Sequence, residues 1–132
     1  MQLQSRHRMK TILPALAIFL SSLLTSATAG EKSPDGAVHV KVEAAAKLIE
    51  EKKVIVLDVR TADEFAEGHL AGAMNIDFLE SEKFEAAVSK LDKSKSYLVH
   101  CQAGGRSARS LKVFQKLGFE SIYHLDGGFG DW

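Results

Sequence analysis

The sequence predicts an α/β domain built on a mostly parallel sheet flanked by helices. Apolar runs of strand length alternate with stretches of helical periodicity from about residue 37 onward. Two of the runs, residues 54–59 and 96–101, are continuous rather than alternating, as in strands buried on both faces. A glycine-rich turn follows the second run, where open α/β sheets bind ligands. Strand and helix in alternation favour a parallel sheet.

The first half of the domain follows this order. Residues 38–40 are a short strand candidate, and residues 43–53 form a helix with Ala44, Leu48 and Ile49 on one face. Residues 54–59, rich in β-branched side chains, are the first buried strand. The elements expected next are a short helix and a brief strand, at residues 62–65 and 73–76.

The second half repeats the alternation. Residues 81–92 place Phe84, Val88 and Leu91 at spacings of four and three, which predicts an amphipathic helix. The second buried strand, residues 96–101, follows this helix. The remaining elements are a helix over residues 107–118 that ends at Gly118 and a last strand over residues 121–125.

Charge and composition narrow the class of protein. The chain is 45% hydrophobic and 26% charged, as one globular domain requires. Three of its 17 basic residues and none of its 17 acidic ones lie in the first 29 residues, so the remainder carries a small net negative charge. Binding to nucleic acid, which needs a basic surface, is therefore not expected.

The N-terminus has the pattern of a secretory signal peptide. A basic leader precedes an apolar run over residues 11–24, and small residues at Ala27 and Ala29 fit a cleavage site. The run is shorter than the ~20 residues that span a bilayer, so no stable membrane anchor is expected after processing. We expect a signal peptide over residues 1–29, a flexible connector over 30–36 and the domain over 37–132. In a bacterium the processed protein would be periplasmic.

Cys101, the only cysteine, stands where the second buried strand ends and a helix is about to begin. Gly104 and Gly105 permit backbone conformations that turn successive N–H groups toward one point. A helix starting near Ser107 adds the partial positive charge of its N-terminus, and Arg106 adds a full charge. These surroundings favour an anion, either the Cys101 thiolate or an oxyanion beside it.

Three segments carry a family resemblance. "VLDVRTADEFAEGHLAGAMNID" (56–77), "YLVHCQAGGRSARS" (97–110) and "YHLDGGFGDW" (123–132) occur in this order. Together they resemble the landmark segments of the rhodanese-like, or thiosulfate sulfurtransferase, family. The resemblance covers essentially the whole domain and implies the family's three-layer fold.

The resemblance also implies an activity. Cys101 would take sulfur from thiosulfate or a similar small anionic donor, form a persulfide, and pass the sulfur to cyanide or a thiol, including a protein thiol. No cofactor is implied. Carried over from the family, the residues that bind the substrate are Gln102, Ala103, Gly104, Gly105, Arg106 and Ser107.

Loop length separates the close relatives of this family. Phosphatases that share the fold have five residues between cysteine and arginine, whereas four separate Cys101 from Arg106. The shorter loop resembles that of the sulfurtransferases. Relatives specialised for mercaptopyruvate often lack this arginine, so Arg106 favours thiosulfate or a persulfide donor.

Other polar residues receive structural interpretations. Asp58 and Arg60 follow a buried strand and are expected to brace the fold and the site entrance, while Glu67 and His69 are expected to fix a turn. His100 adjoins Cys101, but neighbouring strand residues point to opposite faces, so it is not expected to serve as its base. The five histidines show no metal-ligand spacing, and no metal site is predicted.

Two alternatives remain beside the sulfurtransferase. A persulfide carrier would deliver sulfur to a protein partner and turn over free thiosulfate slowly. A noncatalytic rhodanese-like binding module is the other, although inactive modules usually lose the cysteine that this chain keeps at position 101.

Overall fold

A computed structural model describes residues 30–132. The predicted signal peptide, residues 1–29, lies outside the described residues. Among those described, no helix combines the length and the apolar character needed to cross a bilayer. The connector contains a turn in which the Gly36 N–H donates to the Ser33 carbonyl oxygen at 2.9 Å.

Strands and helices alternate along the described chain. The strands are β1 (Ala37–Val40), β2 (Ile55–Asp58), β3 (Met74–Asn75), β4 (Ser96–His100) and β5 (Ser121–Leu125). The helices are α1 (Val42–Glu50), α2 (Ala62–Glu67), α3 (Ser81–Ser89), α4 (Gly105–Leu117) and α5 (Gly128–Asp131).

The five strands form one parallel sheet in the order β1-β5-β4-β2-β3. The prediction of an α/β domain with a mostly parallel sheet is confirmed. Since the strands run in one direction, their carboxyl ends lie along the same edge of the sheet. The loops that follow β2, β4 and β5 are brought together there.

Each face of the sheet carries its own apolar cluster. Tyr97 and Val99 of β4 pack on one face with Phe84 of α3 and Phe114 of α4. Leu98 of β4 points to the other face and packs in a cluster that includes residues of α1 and α5. Two apolar clusters separated by a sheet make three layers, as the resemblance implied.

The predicted face of the first helix was wrong in one position. Ala44 is exposed, whereas Ala45 is fully buried and packs with Val42 and Ile49. The observed spacings of three and four residues fit the helical repeat equally well. A run of three alanines gives no local signal for which one faces the sheet.

The start of α4 and the presence of α5 also differ from expectation. Helix α4 begins at Gly105 rather than near Ser107, because Gly104 takes a left-handed conformation with φ 102° and serves as its N-cap. Helix α5 was not predicted. Its sequence contains two glycines in four residues, a composition that disfavours helix.

Candidate active site

Cys101 follows β4 directly and is 1% exposed. The Gly104 N–H donates to its sulfur at 3.1 Å, and the Ser107 hydroxyl oxygen lies 3.3 Å from the same sulfur. The thiol therefore lies inside the turn that begins α4. This is the position, at the carboxyl end of a central strand, that the sequence predicted for the nucleophile.

The pKa of the Cys101 thiol reflects two opposed effects. Burial raises it, because the charged form loses hydration. Hydrogen bonds from the Ser107 hydroxyl and from the backbone N–H groups of Ser107, Gly104 and Ala103 lower it. The hydrogen bonds outweigh burial, so the pKa lies below its ordinary value and the thiolate is favoured.

The C-terminal segment holds the loop in this shape. The N–H groups of Phe129 and Gly130 donate to the carbonyl oxygens of Cys101 and Gln102, at 2.8 and 2.9 Å. With these carbonyls turned toward α5, the following N–H groups are free to face the sulfur. The loop is therefore fixed before any substrate arrives.

Close backbone approach explains two of the glycines. A Cβ atom at Gly104 would overlap the carbonyl oxygen of Asp126, and one at Gly128 would lie 2.6 Å from the Gln102 carbonyl oxygen. Both residues also have positive φ, 102° and 65°. Only glycine meets both conditions.

The predicted substrate-binding residues all lie on this loop or the first turn of α4, with different exposure. Gly104 and Ser107 are buried, and Arg106 is half-buried. The exposed members, which form the outer surface of the loop, are Gln102, Ala103 and Gly105.

Arg106 is held by a residue that the sequence did not single out. Its two terminal nitrogens donate to the carboxylate oxygens of Glu64 at 2.6 and 2.9 Å. This ion pair lowers the pKa of Glu64 to about 2 and raises that of Arg106. Glu64 is fixed in turn by a capping box with Thr61 at the start of α2. The planar guanidinium group of Arg106 thus faces a carboxylate of the protein itself.

Asp58 and Arg60 form a buried brace beside the loop. The Arg60 guanidinium donates to the Asp58 carboxylate at 2.7 Å, to the Gly68 carbonyl at 2.7 Å and to the Gln102 side chain at 3.1 Å. It also lies over the Phe129 ring, 4.2 Å from its centroid. One buried cation therefore connects β2, the turn after α2, the loop and α5, which agrees with a structural role.

Glu67 and His69 lie at the exposed end of α2. A ring nitrogen of His69 lies 2.7 Å from the Phe65 carbonyl oxygen, and the ring stacks on that of Phe65. Glu67 borders a pocket next to the loop. The other residues that line this pocket are Arg60, Glu64, Gly68, Gln102 and Phe129.

His100 is fully buried and points away from the Cys101 side chain. Its Nδ1 lies 3.0 Å from the Cys101 carbonyl oxygen, and its ring stacks near Phe129. Among residues 30–132, no group lies within hydrogen-bond distance of its Nε2, and the Asp58 carboxylate is 3.8 Å away. Burial lowers the pKa of His100, so the imidazole is neutral near pH 7.

Behind the sulfur, a line of polar groups leads to the surface. The Ser107 hydroxyl lies 2.7 Å from Nε2 of His124, and Nδ1 of His124 lies 2.8 Å from the Asp126 carboxylate. Asp126 also contacts His39 of β1. The sequence did not single out His39, His124 or Asp126, because 85 positions separate the two histidines and only strand pairing joins them.

Comparison with known proteins agrees with this architecture. The family model of the rhodanese-like domain matches residues 41–132 of the sequence. Thiosulfate sulfurtransferase GlpE of Shewanella oneidensis is 31% identical over 94 residues, which are 71% of this chain and 90% of the relative. Chloroplastic thiosulfate sulfurtransferase 16 of Arabidopsis thaliana is 32% identical over 85 residues, 58% of this chain and 71% of the relative.

Solved structures show the same relationship. The human single-domain sulfurtransferase TSTD1 superposes with a TM-score of 0.61 at 25% identity, covering 74% of this chain and 96% of its own. A rhodanese-related protein from Thermoplasma volcanium gives a TM-score of 0.59 at 33% identity, covering 71% and 88%. With the family model matching most of the domain and close relatives spanning it, the chain belongs to the rhodanese-like domain family.

Proposed function

We propose that this protein is a sulfurtransferase that carries sulfane sulfur as a persulfide on Cys101. The observation that carries the proposal is the environment of the sulfur, which lies inside a turn of backbone N–H groups at the start of α4. Such donors stabilise a negative charge on sulfur without taking or giving a proton. Relatives named thiosulfate sulfurtransferase support the same class of activity.

The reaction follows from this environment in two displacements. The Cys101 thiolate attacks the outer sulfur of thiosulfate, the sulfur–sulfur bond of the donor breaks, and sulfite leaves with the bonding pair. The enzyme retains a persulfide whose terminal sulfur bears the negative charge. An acceptor such as cyanide then attacks that terminal sulfur, leaves as thiocyanate, and regenerates the thiolate.

The loop supports thiosulfate or a persulfide as the donor. The loop has the four-residue spacing between Cys101 and Arg106, which is short for a phosphoryl group. Arg106 offers two parallel donors that fit an anionic oxygen pair. Since Glu64 holds these donors in the free site, the donor anion competes with that carboxylate.

A protein acceptor is the second candidate. Gln102, Ala103 and Gly105 form an exposed surface on the loop, so a protein thiol can approach the site from the side that faces solvent. The protein would then act as a persulfide carrier with slow turnover of free thiosulfate and cyanide.

We also propose that the protein is exported to the periplasm after cleavage at Ala29. The basic leader, the short apolar run and the small residues before Gly30 support this location. In an oxidising compartment a lone thiol has no partner within its own chain, so persulfidation or a reductant must preserve it.

Mass spectrometry of the purified protein tests the activity. Exposure to thiosulfate is expected to add one sulfur, about 32 Da, and release one equivalent of sulfite, because Cys101 is the only thiol. Cys101→Ser should remain unmodified. Cyanide then separates the two candidates: rapid loss of the added mass identifies the enzyme, and a persistent adduct that a protein thiol removes identifies the carrier. An unmodified wild-type protein at saturating donor overturns both.

A further inference from the structure

Two histidines and an aspartate meet at the edge of the sheet, outside the sulfur-transfer site. His39 of β1 and His124 of β5 are register partners, with ring centroids 5.1 Å apart. Nδ1 of each ring faces the same carboxylate oxygen of Asp126, at 2.5 and 2.8 Å. The ligand atoms of the three residues all lie within 4.8 Å of one another.

The outer nitrogens of both rings are fixed by second partners. Nε2 of His39 lies 2.7 Å from the Asp35 carboxylate, and Nε2 of His124 lies 2.7 Å from the Ser107 hydroxyl. Histidines that bind metal ions have this arrangement, because a partner on the outer nitrogen fixes the tautomer and orients the ring. Both rings are thus held with Nδ1 toward the common point.

Access and charge also suit a cation. The His124 side chain is 3% exposed, whereas those of His39 and Asp126 are 29% and 49% exposed, so the cluster is closed at its base and open to solvent. Asp126 and Asp35 supply two negative charges. These charges balance one divalent ion.

We propose that His39, His124 and Asp126 form a binding site for a divalent transition-metal ion, of which zinc is the best match. Two imidazole nitrogens and one carboxylate oxygen leave the fourth tetrahedral position for water. Ligand atoms around a zinc ion with bonds of about 2.0–2.1 Å lie about 3.3 Å apart, so the Asp126 oxygen must move away from both ring nitrogens. The half-exposed Asp126 side chain has room for this movement. The ion takes the place of any proton on the two Nδ1 atoms, and such a proton passes to solvent.

The same site is connected to Cys101 through one hydroxyl group. A metal on Nδ1 of His124 leaves the single ring proton on Nε2, which then donates to the Ser107 oxygen. The ring then no longer competes for the Ser107 hydrogen, so the hydrogen bond from this hydroxyl to the Cys101 sulfur, 3.3 Å away, is strengthened. Metal binding itself does not depend on the proposed sulfur transfer, so the two proposals can be tested separately.

Calorimetric titration of the untagged protein with Zn²⁺ tests the site. One ion per chain is expected, and His39→Gln and Asp126→Asn should each weaken binding at least tenfold. His69→Gln, at an exposed histidine outside the cluster, is the matched control and should bind as the wild type does. Cys101→Ser should also retain binding. Circular dichroism confirms that each variant is folded.

Nitrogen-15 spectra of the histidine rings locate the ion directly. Zinc should shift the Nδ1 signals of His39 and His124 and leave Nε2 protonated, with His69 and His100 as internal controls. Wild-type affinity in both His39→Gln and Asp126→Asn would overturn the proposal. So would loss of binding in Cys101→Ser, or shifts confined to His69 or His100, since either would place the ion elsewhere.

Discussion

The Glu64 carboxylate accepts hydrogen bonds from both terminal nitrogens of Arg106, a residue 42 positions later in the chain. The two side chains are 31% and 19% exposed, so the pair lies at the entrance of the loop rather than in the core. The carboxylate thereby fixes the orientation of the Arg106 guanidinium and engages the two nitrogens that, in the proposed function, would bind an anionic donor. If Arg106 binds the donor as proposed, donor binding and this ion pair compete.

Substitutions on either side of the pair should change the Michaelis constant for thiosulfate in opposite directions. Arg106→Lys is expected to raise it about tenfold, because a point charge does not reproduce the two-donor fork. Glu64→Gln should lower it, since the donor no longer competes with a carboxylate. Steady-state kinetics with cyanide as acceptor measure both.

Glu85→Gln is the control for these variants, because Glu85 forms an exposed ion pair with Lys116 away from the loop. Its kinetics should equal those of the wild type. An unchanged Michaelis constant in Arg106→Lys would assign the arginine a purely structural role.

Ser107→Ala should make Cys101 less reactive. Loss of a hydrogen bond to a charged group removes about 1.5 kcal/mol, so alkylation at neutral pH is expected to slow by about tenfold. The pH profile of iodoacetamide alkylation should move to higher pH. Ser110→Ala removes a hydroxyl that bonds the Ser107 carbonyl instead of the sulfur, and serves as the control. Equal profiles for the two variants would remove Ser107 from thiolate stabilisation.

The buried His100 should make the protein less stable in mild acid. Burial lowers the pKa of His100, although the Asp58 carboxylate partly opposes this effect. Below the ordinary value of 6.5, the unfolded chain therefore binds a proton that the folded protein does not bind. The free energy of unfolding contributed by this residue is complete above pH 6.5 and declines as the pH falls. The slope is at most about 1.4 kcal/mol per pH unit.

Urea unfolding between pH 7 and pH 5 measures this dependence. His100→Asn should have a flatter profile than the wild type, and His69→Gln, at an exposed position, is the comparison. A profile as steep in His100→Asn as in the wild type would contradict the assignment.

Gly128→Ala should damage the loop as well as the stability. The new Cβ would lie 2.6–2.7 Å from backbone atoms of Cys101 and Gln102, at a residue with φ 65°. We expect a loss of more than about 1 kcal/mol in unfolding free energy and slower alkylation of Cys101. Gly72→Ala has a similar φ of 76° with no atom within 4 Å, so it isolates the backbone strain. Equal losses in both variants would show that contact with the loop is unimportant.

Protein recovered from an exporting bacterial cell should begin at Gly30. The apolar run at residues 11–24 is long enough to engage the export machinery and short for a bilayer span, and residues 27 and 29 fit the protease. N-terminal sequencing and cell fractionation measure this. An intact Met1 form in the membrane fraction would indicate an anchored protein and would leave the role of Cys101 unaffected.

Local sequence patterns were sufficient for the positions of the strands and for the placement of Cys101. Continuous apolar runs identify buried strands, and glycines after β4 identify the loop, because both signals lie within a few residues. Helix α5 was not predicted because it depends on hydrogen bonds to the loop rather than on helix propensity.

Contacts between side chains far apart in the chain could not be predicted from local sequence patterns. Glu64 reaches Arg106 only because α2 follows β2, the neighbour of β4 in the sheet. His39 meets Asp126 only because β1 pairs with β5. Neither contact has a signature in residue spacing, since strand order is decided by the packing of the whole sheet.

The position of β5 between β1 and β4 makes completion of the sheet depend on the last strand of the chain. The first strand cannot find its neighbour until the last strand has been made, so closure of this sheet relies on contacts between the two ends of the domain. The amide groups that hold the loop, those of Phe129 and Gly130, belong to residues that follow β5 in the chain. We expect the Cys101 thiol to be accessible to oxidants and to foreign disulfides until these contacts form. Pulse-labelled hydrogen exchange during refolding should show the loop amides gaining protection together with β5 rather than with β4 alone.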